Sequence, residues 1–146
     1  MEIINGERLV LGTCYYPEHW DESLWRDDLR RMLENGIEVI RIAEFAWSKI
    51  ERYEGVFNYD FFDRFLDLAE EMGMKVIFCT PTATPPAWLT EKYPEVLNAN
   101  MDGVLYRHGA RRHYNYNSPK YQELTRIIVE KSASHYAKHP AIIGWQ

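Results

Sequence analysis

The chain has 146 residues, 46% hydrophobic and 27% charged, which suits one globular domain and excludes intrinsic disorder. With 17 basic and 22 acidic side chains the net charge is −5, which argues against nucleic acid or an anionic membrane as a partner. Two cysteines, Cys14 and Cys79, are too few for a disulfide framework. No apolar run approaches the roughly 18 residues of a membrane span. The N-terminal segment lacks the basic start and apolar core of a secretory leader. These features predict a soluble protein of the reducing cytoplasm.

Strand-like and helix-like stretches alternate along the chain. Leu9–Tyr15 reads as a buried strand, and Asp21 caps a helix to Asn35 with Trp25, Leu29, Met32 and Leu33 at helical spacing and Gly36 as its stop. Val39–Ile42 is a second strand. Asn58 or Asp60 opens a second helix with Phe62, Phe65, Leu66 and Ala69 on its apolar face, ended by Gly73. Lys75–Cys79 is the third strand, followed by a long irregular stretch from Thr80 to Asn117. Ser118-Pro119 begins a third helix, Ser as cap and Pro at the first helical position, running to about Lys138. Ala141–Trp145 starts a fourth strand. This β-α-β-α-β-α-β order predicts a parallel sheet. Four strands and three helices make about half of a (β/α)8 barrel, which takes about 250 residues.

In such barrels the chemistry sits on the loops after the strands. Here those loops are Tyr15–Trp20, Ala43–Lys49 and Thr80–Asn117. The first has no Gly-rich phosphate turn, which disfavours a Rossmann nucleotide site, and the Walker pattern is absent. The loops instead mix aromatics (Tyr15, Trp47, Trp88, Tyr106, Tyr114, Tyr116) with His19, Glu44, Arg111 and their neighbours. Ring faces suit the C–H faces of a pyranose, and charged or amide groups suit its hydroxyls. Aromatic-rich loops that simply pack on themselves give the same composition.

Five motifs occur in order: Cys14-Tyr-Tyr-Pro-Glu-His-Trp20, Arg41-Ile-Ala-Glu-Phe-Ala-Trp47, Thr82-Ala-Thr-Pro-Pro-Ala-Trp88, Gly109-Ala-Arg-Arg-His-Tyr114 and His139-Pro-Ala-Ile-Ile-Gly-Trp-Gln146. Together they resemble the N-terminal half-barrel of the family 42 glycoside hydrolases, bacterial β-galactosidases, over about Leu9–Gln146. The resemblance implies a retaining glycosidase in which one glutamate is acid/base and another the nucleophile, their carboxyls about 5–5.5 Å apart. In the family both lie past the point matched by Trp145-Gln146, so no catalytic carboxylate is expected within residues 1–146. This segment alone is expected to be inactive. The resemblance further implies a cytoplasmic homotrimer acting on galactosides without a cofactor. The alternative is a carbohydrate-binding half-barrel without catalysis.

By the same resemblance Arg111 is the galactoside-binding arginine of the Arg-Arg-His-Tyr motif, with Arg112 and His113 in packing or supporting roles. Glu44 follows the second strand, where a general acid could stand, but the family assigns catalysis to other strands. It is expected to pair with a loop arginine or the sugar. Arg41, a charge in an apolar strand, is costly unless paired. It is either a structural ion pair or a barrel-mouth group serving the nucleophile. Trp47, Trp88, His19 and Tyr15 are candidate pocket or supporting residues. Tyr15, His19, Glu44, Trp47, Trp88 and Arg111 are expected to converge at one end of the strands. Some family members hold a structural zinc with cysteines, the first at the position of Asn115, a poor zinc ligand. No metal is expected, and Cys14 and Cys79 read as small core residues.

Overall fold

A computed structural model describes residues 9–109 and 111–146, so the leader-pattern reading of the N-terminal segment lies outside the described residues. The chain forms two compact units. The first takes the residues up to Ala43, Tyr59–Cys79 and Tyr136–Gln146; the second takes Glu44–Asn58 and Thr80–His135.

Four parallel strands form the sheet of the first unit: β1 (Leu11–Cys14), β2 (Ile37–Ile42), β5 (Lys75–Phe78) and β6 (Ile142–Trp145). Each strand lies beside the one that precedes it in the sheet, in the order β1-β2-β5-β6. A doubly wound sheet reverses its order at a switch point. Strictly sequential addition is the pattern of a (β/α)8 barrel, and the fold is the first part of one. β1 is exposed along its whole length, contrary to the expected buried strand. Among the described residues its one strand neighbour is β2, which leaves its other edge uncovered there.

Helix α1 (Glu22–Glu34) begins where Asp21 Oδ1 accepts the Ser23 amide at 2.9 Å. This satisfies one of the orphan donors of the first turn. Trp25 and Leu29 on its inner face are buried. Helix α3 (Asp60–Met72) places Phe62, Phe65, Leu66 and Ala69 in the core, and Gly73 ends it at φ +77°. Its cap position is Tyr59, which makes no side-chain cap bond. Asp60 therefore contributes as a first-turn charge on the helix dipole. Trp25 meets Phe61 and Phe65 edge-on at 5.0 and 5.1 Å between ring centroids, and Phe62 meets Phe78 at 5.7 Å. This aromatic core covers one face of the sheet.

The second unit contains structure that the hydrophobic periodicity did not predict. Helix α2 (Trp47–Ile50) leads into a hairpin of β3 (Glu51–Tyr53) and β4 (Val56–Phe57), and α4 (Ala87–Lys92) lies within the supposedly irregular stretch. Each is six residues or fewer, below the window in which a period of 3.6 or 2 is visible. Residues 96–115 fold back on themselves, with Asn98 N donating to His113 O and Asn115 N to Val96 O, both at 2.8 Å. Helix α5 (Pro119–Tyr136) starts at the predicted cap, Ser118 Oγ accepting the Tyr121 amide.

Candidate active site

Within the first unit the alternation of β2 sorts its side chains. Ile40 and Ile42 are fully buried on the helix-covered face, so Arg41 must project from the other. There its guanidinium meets Cys14 at the end of β1 and the residues that directly follow β5 and β6, Cys79 and Gln146. Nε and Nη2 lie 3.3 and 3.1 Å from Cys14 Sγ, and Nη1 lies 2.9 Å from Gln146 Oε1 and 3.7 Å from Cys79 Sγ. Nη2 also reaches Tyr16 Oη at 3.5 Å. The two cysteines are thus partners of one arginine, and Cys14 is exposed rather than core. A cleft of about 230 Å³ lined by Gly12, Cys14, Val39, Arg41 and Ile77 opens on this face. A side chain at Gly12 would crowd this face, because a Cβ there would stand 3.0 Å from the Val39 carbonyl oxygen.

Tyr15 and Tyr16 separate by the same alternation. Tyr15 turns into the helix layer, stacking on Phe65 at 5.8 Å and donating to Asp28 Oδ2 at 2.7 Å. Burial and the Asp28 carboxylate push its phenol well above the usual range. Tyr16 instead joins Arg41, and its ring lies 5.4 Å from that of His19. His19 is exposed on the rim of a cleft of about 380 Å³ that also involves Trp20 and Asp28. Tyr16 was not singled out from the sequence; its two-residue spacing from Cys14 on one strand face is the signal that finds it.

In the second unit Glu44 and Arg111, 67 residues apart, form an ion pair of 3.1 Å between Glu44 Oε1 and Arg111 Nη2. The Arg111 guanidinium also lies over the Phe45 ring, 5.5 Å from its centroid. Ala43, immediately before Glu44, has φ +68°, and Arg112, immediately after Arg111, has φ +63°. Left-handed backbone at a non-glycine residue costs on the order of 1–3 kcal/mol and persists where the surroundings over-determine it. Both ends of the pair are therefore held by strained backbone.

Trp47 and Trp88 are brought together through a residue that sequence reasoning missed. Glu51 is buried; its carboxylate accepts from Trp47 Nε1 at 2.7 Å and from Gly55 N at 2.8 Å. Its main-chain carbonyl accepts from Trp88 Nε1 at 3.0 Å. Burial pushes the Glu51 carboxyl above its usual range, against the pull of the two N–H donors. Trp47, expected at the pocket, is itself fully buried, because its indole N–H is used to hold this carboxylate. His113 is also buried, with its ring 5.0 Å from that of His108. Thr90 Oγ1 lies 2.9 Å from His108 Nδ1. Tyr114 stacks on Tyr121 at 4.5 Å and faces Tyr116 edge-on at 5.1 Å.

Asn115 does not fit a zinc. Its side-chain oxygen accepts the Asn117 amide at 2.9 Å, in the turn that leads into α5, and a neutral amide is a poor substitute for a thiolate. Asp67, Glu70 and His139 stand near one another. His139 Nδ1 accepts the Ala141 amide at 3.3 Å, which assigns the ring proton to Nε2, the atom facing Asp67 at 3.6 Å. At that distance the two groups face each other without a hydrogen bond.

Residues 14–146 match the glycoside hydrolase 42 family model, described as β-galactosidase. The chain belongs to this family. It is 43% identical over 136 residues to the β-galactosidase Bga of Halorubrum lacusprofundi, covering 93% of this chain and 19% of that protein. It is 44% identical over 137 residues to the β-galactosidase BgaA of a Thermus species, covering 94% and 21%. Among solved structures, the β-galactosidase of the psychrophilic Marinomonas ef1 superposes with a TM-score of 0.91 at 43% identity, over 94% of this chain and 21% of that one. The Halorubrum lacusprofundi enzyme superposes at 0.90 with 42% identity, over 94% and 21%. The chain thus spans about a fifth of the length of the relatives it matches. No helix among the described residues is long and apolar enough to cross a membrane.

Proposed function

We propose that this chain is the N-terminal part of a retaining β-galactosidase and supplies sugar-binding and supporting groups of its active site. The observation that carries the reading is the family match over residues 14–146. It is joined by an arginine of the matching motif, Arg111, held by Glu44 and Phe45 with donors to spare. A guanidinium has five N–H donors, and the contact to Glu44 is made through Nη2. Arg111 then binds galactose hydroxyls. Arg41, in its cage of Cys14, Tyr16, Cys79 and Gln146, supports the nucleophile glutamate and keeps it ionised. In the first unit His19 stands beside Tyr16, a partner of Arg41, while Tyr15 packs in the helix layer; in the second, Trp47 and Trp88 hold Glu51. The acid/base glutamate, at the end of the fourth strand, and the nucleophile, on the seventh, both lie past Gln146, and residues 1–146 form one continuous part of the catalytic barrel. The enzyme is a cytoplasmic homotrimer, checked by light scattering and cell fractionation.

Two closely spaced carboxylates, about 5–5.5 Å apart, give double displacement and net retention. The full-length enzyme acting on an aryl β-galactoside is expected to release β-galactose first, as followed by proton NMR before mutarotation. Arg111→Ala is expected to lower kcat/KM roughly 10²-fold or more through loss of charge-assisted hydrogen bonds. Arg112→Ala is expected to cost much less. First release of α-galactose would refute retention. Binding without turnover would favour the non-catalytic carbohydrate-binding module, and equal losses at the two arginines would refute the assignment of Arg111.

A further inference from the structure

We propose that Glu44 is a positioning residue: with Phe45 it fixes the Arg111 guanidinium for a neutral sugar and makes the site unattractive to anions. The inference rests on the reading of Arg111 as a galactoside ligand. The Arg111 side chain is 63% exposed, whereas that of Glu44 is 13% exposed. A long, exposed arginine samples many rotamers unless something holds it. Here a largely buried carboxylate pairs with it at 3.1 Å, and the ring of the next residue, Phe45, lies under the guanidinium, 5.5 Å from its carbon to the ring centroid. Two consecutive residues therefore restrain the fork from two sides. The backbone is left-handed at Ala43, next to Glu44, and at Arg112, next to Arg111.

Charge is the second half of the inference. An isolated arginine in a loop rich in basic residues (Arg107, Arg111, Arg112) would attract phosphate or sulfate. The Glu44 carboxylate offsets that charge and repels anions, while the donors not turned to it remain available to hydroxyl oxygens. Specificity for a neutral ligand thus includes a repulsive element against the wrong one.

A double-mutant cycle in the full-length enzyme tests this, with 4-nitrophenyl β-D-galactoside as substrate and kcat and KM measured separately. Glu44→Gln keeps the shape and removes the charge. It is expected to raise KM about tenfold with kcat changed less than about threefold, the signature of lost ground-state binding. In the Arg111→Ala background the same substitution is expected to add less than about twofold, because its effect passes through Arg111. Sulfate, used as an inhibitor, is expected to act on Glu44→Gln at about tenfold lower concentration, an effect general destabilisation does not produce. Equal losses in both backgrounds, or unchanged sulfate inhibition, overturn the inference while leaving Arg111 as a ligand. An Arg111→Ala enzyme with normal kcat/KM overturns both the galactoside reading and the inference. Should Glu44→Gln fail to fold, Phe45→Leu provides the second arm: a KM increase that vanishes in the Arg111→Ala background supports the clamp, and an additive one overturns it.

Discussion

Glu51 illustrates how a single buried carboxylate organises its surroundings. It joins Trp47, Gly55 and Trp88 with three hydrogen bonds of 2.7 to 3.0 Å, and burial pushes its carboxyl up. A carboxyl with a raised folded pKa is easier to ionise in the unfolded chain. Its contribution to stability is therefore complete below the ordinary carboxylate range and declines as pH rises through the raised folded value. Glu51→Gln has no such titration, and its amide turns a donor toward one of the two N–H groups. The expected loss is about 1–3 kcal/mol, largest near pH 4 and smaller at pH 7. Thermal unfolding of both proteins across that range measures the difference. A gap that widens with rising pH would contradict the burial argument. Glu51 was invisible in the sequence because nothing local distinguishes it from Glu54, three residues on.

The helix boundaries were the most legible feature at the scale of elements. Asp21 and Gly73 are where the residue types placed them, and Ser118-Pro119 opens α5 as expected. These signals act within a turn of chain, so no tertiary contact is needed to read them. Gly73 sits at φ +77° with open space where a Cβ would go. Gly73→Ala therefore pays only the conformational cost of the left-handed region, about 1 kcal/mol. Asp21→Ala, which orphans the Ser23 amide, is expected to cost about 1 kcal/mol as well. Being distant and without shared partners, the two losses should add in the double variant. Denaturant or thermal unfolding of the single and double variants checks the sum. By contrast α2, the β3–β4 hairpin and α4 were not legible, because elements of six residues or fewer owe their form to the packing of their neighbours.

For the molecule as a whole, the sheet order β1-β2-β5-β6 separates a barrel from a doubly wound fold. The core that holds that sheet is aromatic. Phe65 is fully buried among Tyr15 and Trp25, and Phe65→Ala is expected to cost about 3–5 kcal/mol through lost transfer energy and the cavity left behind. A lowered melting temperature with an unchanged KM would be the outcome, since the ring lies on the helix-covered face rather than beside Arg41. A changed KM at unaltered stability would place Phe65 in the site.

Read alone, the sequence determined the order of the parallel-sheet strands and their three long helices, the caps of α1 and α5, the family motifs and the loops after the strands. Each of these is written in neighbours a few residues apart. Tertiary structure decided the rest: that Tyr16 rather than Tyr15 stands with Arg41, that both cysteines attend one guanidinium, and that Glu51 fastens two tryptophans. It also decided that Arg111 answers to Glu44 across 67 residues. Such pairings depend on which face of a strand a side chain occupies and on how a long loop closes. A one-residue change in either turns the side chain away, and no local residue pattern records it.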